Sequence, residues 1–402
     1  MMKIKPIYNV GEFPYWPNKI KVGVGARKSI VDDIKTYGGT KVVFVTDKNI
    51  IDLYETQELI NLLRSAGNKI YIYDDVEENP SDICVDKAAA YMNQIKPDAV
   101  IYYGGGSVID LGKAANLIYT HGGKINEYED LIGGIEKIKG ILIPSIAIPT
   151  TAGSGSEVSS VSVITDSKRR VKMGVLSPYI VPQISILDAE VTVAMPSDLT
   201  AYTGMDALTH CIEAYVSNIC FEPGRGIAYQ GIKLVKQYLY RAVSCGEDLV
   251  ARENMLVASA CGSMAFNNNY LGTVHACAHQ LSSTVGIPHG LANAVMLLPV
   301  MKWNLESNIQ GYAEVAQALG VDIYQITPEE AAERAICEIE KLEALINIPR
   351  HLSDIGVTEE MLDELVNKAY NDHNNLSNPR ADGVFPNPVS KETIKKLFYK
   401  VL

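Results

Sequence analysis

Residues 99–103, Ala-Val-Ile-Tyr-Tyr, run without a polar break into Gly104-Gly105-Gly106-Ser107, and a helical pattern follows over 108–119. A buried strand that passes through a small-residue turn into a helix is the building unit of a parallel sheet, whose neighbouring strands can be joined only by crossovers. The unit repeats. Residues 41–46 read as a strand and 51–66 as a helix stopped at Gly67. Residues 69–73 are a strand, 82–94 a helix stopped by Lys96-Pro97, and 146–149 another buried strand. The spacing predicts an α/β fold with a mostly parallel, Rossmann-like sheet covered on both faces.

From Pro196 the strand signal nearly vanishes. Helical patterns follow over 203–216, 225–243, 249–267, 274–284 and 291–304, and continue from Pro328 to the C-terminus. We therefore expect an α/β domain over residues 1–192 and an all-helical domain over 193–402, consistent with 402 residues at about 150 per domain. Loop punctuation at Asn378-Pro379-Arg380 and Phe385-Pro386-Asn387-Pro388 suggests a tail folded back over the body. A net charge of −11, with no basic run longer than residues 167–172, argues against nucleic-acid or anionic-membrane partners. Seven cysteines (84, 211, 220, 245, 261, 277, 337) without a Cys-x-x-Cys pair read as free buried thiols in a reducing cytoplasm. No apolar run reaches 18 residues, and Met1-Met2-Lys3-Ile4-Lys5-Pro6 opens no targeting segment, so the expectation is a soluble cytoplasmic protein.

The glycine turn lets backbone N–H groups approach an anion at a helix N-terminus. Its bland alternative is a tight turn with a capped helix, for which Ser107 and Asp110 have capping-box spacing. Asp47, ending the strand 41–46, suits hydrogen bonds to an adenosine ribose and repels a 2′-phosphate, although it could merely cap the next helix. Thr150-Thr151-Ala152-Gly153-Ser154-Gly155-Ser156-Glu157 is a second small-residue loop at a strand end. Gly23-Val24-Gly25 lacks the third glycine of a dinucleotide fingerprint and is set aside.

Asp206 and His210 lie four apart in an apolar helix, so they share one face, with Glu213 on the same stripe. His275 and His279 repeat the spacing, and His289 heads another apolar helix. Imidazoles and carboxylates among Ala, Leu and Val need partners, and one divalent cation satisfies several together. His275-x-x-x-His279 lacks the glutamate after the first histidine that a metalloprotease uses as its base.

These motifs, in this order and over nearly the whole chain, resemble the iron-containing (group III) alcohol dehydrogenases. The resemblance rests on Val45-Thr46-Asp47, Gly104-Gly105-Gly106-Ser107-x-x-Asp110, Ala147 to Glu157, Asp206-Ala207-Leu208-Thr209-His210-x-x-Glu213, and Gly272-x-Val274-His275 through Asn293. It implies a dehydroquinate synthase-like architecture, NAD as cofactor, and a divalent metal, Fe(II) first with Zn(II) as the alternative. Carried over by position, the metal ligands are Asp206, His210, His275 and His289, and His279 is the candidate catalytic proton relay. Cofactor contacts fall on Asp47, Asn79, Gly104, Gly105, Gly106, Ser107, Asp110, Thr150, Thr151 and Lys172, and Phe266 lines the substrate pocket. Asp110 belongs near the nicotinamide end, and Asp47 at the position associated with NAD over NADP.

Three departures stand out: Val108 for a common Pro, Gly112 for a common Ala (both expected to loosen the helix start), and Gln280 beside His279, expected to bear on substrate shape. The implied activity is direct hydride transfer between NAD(H) and a small primary alcohol, diol or short functionalised aldehyde, in a homodimer or larger homo-oligomer. A metal- and NAD-dependent lyase on the same scaffold is the alternative, and a non-catalytic NAD-binding protein a third reading.

Overall fold

The computed structural model describes residues 19–217, 221–376 and 389–402. Its first part runs β1 (Ile20–Val22), α1 (Ile30–Thr36), β2 (Lys41–Val45), α2 (Tyr54–Ser65), β3 (Lys69–Tyr73), α3 (Asp82–Ile95), β4 (Ala99–Gly104) and α4 (Gly106–His121). Then come β5 (Ser145–Pro149), the hairpin β6 (Val161–Asp166) and β7 (Val171–Leu176), and β8 (Ile184–Leu187). The helices after them are α5 (Ser197–Val216), α6 (Glu222–Ser244), α7 (Leu249–Asn269), α8 (Thr273–Gln280), α9 (His289–Asn304) and α10 (Ile309–Ala318). The chain closes with α11 (Pro328–Leu345), α12 (Leu362–Tyr370), the short α13 (His373–Leu376) and α14 (Lys391–Tyr399).

Six strands form one parallel sheet in the order β1-β8-β5-β4-β2-β3. β4 and β5 are buried along their whole length, which is why they read as unbroken apolar runs. Alternate residues serve opposite layers. Val43, Val45, Val100 and Tyr102 pack with residues of α3 and α4, while Val42, Phe44, Ile101 and Tyr103 pack with Ile30, Leu59 and Leu63. From β2 the chain steps outward to β3 and then returns across β2 to β4, so the winding direction reverses there. The crevice beyond the carboxyl ends of β2 and β4 is where an open α/β sheet binds its ligand. Asp47 leaves one of these strands and Gly105-Gly106 the other.

The helical layer is built round α5, with 15 of its 20 residues buried. Among the described residues no helix is long and apolar enough to cross a membrane. The pattern at 274–284 splits into α8 and a π-helical turn, Leu281–Val285, a departure frequent at functional sites. The residues of the Asn378 and Phe385 loop motifs, like Cys220, lie outside the described residues. Beyond that loop α14 buries Ile394, Leu397 and Phe398, and the Leu352 N–H donates to the Val401 carbonyl at 2.6 Å.

Three expectations need correction. Cys84, Cys211, Cys261 and Cys277 are buried free thiols, but Cys245 and Cys337 are exposed. The helix after the glycine turn begins at Gly106, with Gly105 as N-cap and no side-chain cap. Ser107 therefore caps nothing: its Oγ accepts the Asn79 N–H at 3.3 Å, and Asp110 is engaged elsewhere. At Gly112 a Cβ would collide with the Tyr102 ring, so α4 lies close on the sheet there. The departure fits a close helix–sheet contact.

Candidate functional site

One cavity of about 670 Å³ runs from the crevice of the sheet to the helical layer. At the sheet end it is lined by Asp47, Asn79, Gly105, Gly106, Ser107, Asp110, Thr150, Thr151 and Lys172. At the other end stand Asp206, His210, Phe266, His275, His279 and His289. Of the residues assigned by position to metal, cofactor, substrate or proton transfer, Gly104 alone stays outside. It ends β4, its carbonyl accepts the Thr150 N–H at 3.0 Å, and a Cβ would press on Val108.

A Cβ on Gly106 would come within 2.8 Å of Ser154 Oγ, so only glycine keeps the cradle over α4's N-terminus open. The uncapped start of a 16-residue helix offers N–H groups and partial positive charge to an anion. Asp47 Oδ1 accepts the Asn49 N–H at 2.8 Å, which aims the carboxylate in the turn after β2. Asn79 has left-handed backbone, φ 53°, and its carbonyl accepts from Thr165 Oγ1. Asp110 accepts from Ser156 Oγ and from the Val163 N–H at 3.1 Å, and burial raises its carboxyl above the usual range. Buried Lys113 ties the same loop, donating to Ser156 Oγ and the Ser159 and Val161 carbonyls at 2.8–3.0 Å. On β7, burial lowers Lys172 to about 8 against the pull of Asp206 and Asp110.

At the far end three imidazoles surround one carboxylate oxygen. Nε2 of His210, His275 and His289 lies 3.8, 3.9 and 3.7 Å from Asp206 Oδ1. Ligand atoms of Asp206, His210 and His275 all fall within 4.8 Å of one another. Burial depresses His210 to about 4 and takes His289 well below its usual value, which favours the neutral rings. His210 Nδ1 faces the Gly153 carbonyl at 3.3 Å, and His275 Nδ1 faces Glu213 Oε2 at 2.6 Å. With those protons on Nδ1, both Nε2 atoms turn lone pairs toward a carboxylate. A cation among them satisfies the lone pairs and the carboxylate together. The donor set therefore fits a divalent metal.

Glu213, which spacing alone left open as a ligand, instead holds His275 and accepts the Val274 N–H at 2.8 Å. Asn293 was not singled out. Its Nδ2 reaches Asp206 Oδ1 at 2.6 Å, His275 Nε2 at 3.1 Å and His289 Nε2 at 3.2 Å, while its Oδ1 and His289 Nδ1 have no partner among the described residues. Its position four after His289 was the available signal. Phe266 packs on His210, ring centroids 4.9 Å apart. Gln280 does not line the cavity. It is buried and donates to the Ala276 carbonyl and to Asp372 Oδ2.

Tyr270 also lines the cavity, at the end of α7, with φ 65° and ψ 169°, a region essentially reserved for glycine. Glycine at 270 is therefore expected to be more stable than alanine there by about 1–2 kcal/mol, the reverse of the usual order. Urea unfolding of Tyr270→Gly and Tyr270→Ala measures the difference, and alanine equal or better would mean the backbone is unstrained.

Comparison with known proteins gives consistent matches. The model described as iron-containing alcohol dehydrogenase matches residues 17–189, and that of the Fe-containing alcohol dehydrogenase family, C-terminal, matches 200–401. The 1,3-propanediol dehydrogenase of Klebsiella pneumoniae is 40% identical over 368 residues, 91% of this chain and 92% of that protein. The NAD-dependent methanol dehydrogenase of Bacillus methanolicus is 37% identical over 359 residues, covering 89% and 93%. A crystal structure of 1,3-propanediol oxidoreductase superposes with TM-score 0.91 at 37% identity, covering 97% of this chain and 99% of that one.

Proposed function

Since the chain belongs to the iron-containing alcohol dehydrogenase family, we propose that it interconverts a small primary alcohol or diol and the corresponding short aldehyde with NAD(H) as its cofactor. Asp206, His210, His275 and His289 would hold the metal, Fe(II) first and Zn(II) as the alternative. The observation that carries the reading is the pair of Nε2 atoms, of His210 and His275, that face Asp206 at one end of a cavity whose other end is the α4 N-terminus.

When bound, the metal supplies Lewis acidity at the substrate oxygen, and the nicotinamide supplies the hydride chemistry. The chain's own residues do the rest. Backbone N–H groups at Gly105 and Gly106 take the pyrophosphate, with Ser107, Asn79, Thr150 and Thr151 around it. Asp47 takes the adenosine ribose. Asp110 holds the 156–163 loop in place, and Lys172 adds a cation beside the acidic metal-site carboxylate. Phe266 walls the substrate side, and His279 moves a proton at the mouth of the metal site. The same reading places the division of the chain at residues 192/193 and treats the protein as a cytoplasmic homo-oligomer.

Metal analysis of anaerobically purified protein, paired with NADH oxidation against short aldehydes, tests it. About one metal per chain, with turnover lost on chelation, is the expected result. A metal-free, inert protein would overturn it, and metal without NADH oxidation would favour a lyase on this scaffold.

A further inference from the structure

We propose that Asp372, at the start of the C-terminal segment beyond α12, is a positioning residue that holds His279 with its proton on Nδ1 and leaves Nε2 to exchange the substrate proton. The proposal rests on the reading of His279 as the proton relay.

His279 Nδ1 lies 3.1 Å from Asp372 Oδ2, across 93 residues of sequence. The two side chains are 17% and 9% exposed, so water competes little for the contact. Among the described residues, two further side chains donate to the same carboxylate. Asn375 Nδ2 reaches Oδ1 at 3.2 Å and Oδ2 at 3.1 Å, and Gln280 Nε2 reaches Oδ2 at 3.4 Å. Asn375 Nδ2 also lies 3.3 Å from His279 Nδ1. An ionised carboxylate only accepts and the Asn375 amide shares one N–H between its two oxygens, so the Nδ1–Oδ2 contact calls for a proton on Nδ1. Nδ1 is thus left as a donor, and Nε2 carries the lone pair.

The ring has little freedom to turn. It stacks on His289 with centroids 5.3 Å apart at 30° and meets His275 edge-on at 5.9 Å and 82°. His279 lines the cavity and Asp372 does not, so the carboxylate acts through the imidazole. In the oxidative direction the hydroxyl O–H bond breaks with its electron pair staying on oxygen, and a new N–H bond forms at Nε2. The resulting imidazolium lies beside Asp372. In the reductive direction the same proton returns to oxygen. This also gives Gln280 a role: it bears on the site through Asp372.

Ring-nitrogen spectra of ¹⁵N-histidine-labelled protein, free of metal and cofactor, read the tautomer directly, with His279 identified by its loss in His279→Gln. The wild type is expected to show Nδ1–H, and Asp372→Ala to show Nε2–H or a mixture. Asp372→Asn should keep Nδ1–H, because the Gln280 and Asn375 donors hold the amide oxygen toward the ring. In the holoenzyme, Asp372→Ala should lower kcat about 10²-fold, with metal content and the KM for NAD unchanged, and Asp372→Asn should restore most of it. An unchanged His279 tautomer in Asp372→Ala overturns the proposal, as does a loss confined to KM or metal content, or an asparagine variant no better than alanine. Should the alanine variant not fold, Asp372→Asn decides alone: full kcat with Nε2–H overturns it. A wild type inactive on every alcohol would sink the functional reading, while the spectra would still judge Asp372.

Discussion

Alanine at position 275 is expected to empty the metal centre and stop turnover in one step. His275 Nε2 stands 3.9 Å from Asp206 Oδ1, and Glu213 fixes the ring through Nδ1 at 2.6 Å. Truncation removes a donor and with it the orientation that Glu213 imposes. The remaining Asp206, His210 and His289 keep three of the four donors, one fewer than the site is built from and without the ring that Glu213 orients, so the metal is held more weakly. Metal content should fall from about one per chain to less than about a tenth. kcat should fall at least about 10³-fold, which corresponds to about 4 kcal/mol of lost stabilisation. The fold should survive, because Glu213 keeps the Val274 N–H at 2.8 Å as a partner for its carboxylate. Metal analysis, circular dichroism and steady-state rates on one preparation make the comparison. A variant that turns over without metal would sink the assignment, and so would one that keeps its metal at full occupancy.

The parts of this molecule that could be read from sequence are those whose physics is local. β2, β4 and β5 are covered on both faces and so appear as continuous apolar runs. β1 is three residues long and β8 four, too short to stand out, and the β6–β7 hairpin alternates buried with half-buried positions. The histidines at 210, 275 and 289 were legible because polar side chains at helical spacing in apolar helices demand partners. Local pattern misled at Ser107 and Asp110. The spacing is that of a capping box, but the backbone of Gly105 takes the cap position and Asn79 and Ser156 claim the side chains. Asp372 and Asn375 reach His279 from 93 and 96 residues away, a proximity that no periodicity encodes. Tyr270 was equally hidden, since backbone strain leaves no mark in residue type.

Serine at position 47 is expected to move cofactor choice toward NADP(H) by about tenfold to a hundredfold. Asp47 sits in the turn after β2, at the crevice where the sheet reverses its winding, and lines the same cavity as Gly105 and Gly106. A ribose placed there can give its hydroxyl protons to the carboxylate, whereas a 2′-phosphate meets like charge. At ~4 Å and an effective dielectric of ~20, that repulsion is about 4 kcal/mol per unit charge. Asp47 is only half-buried, and salt screens it, so about 1.4–2.8 kcal/mol should be realised, which is the stated range. The turn itself should tolerate the change, because a serine hydroxyl can accept the Asn49 N–H that Asp47 Oδ1 now holds at 2.8 Å. The ratio of kcat/KM for NADPH to that for NADH is the quantity to measure, at low and at high salt. A rise that shrinks in salt identifies electrostatic exclusion. An unchanged ratio, or an equal loss with both cofactors, would confine the carboxylate's role to the turn and leave cofactor choice to the rest of the crevice.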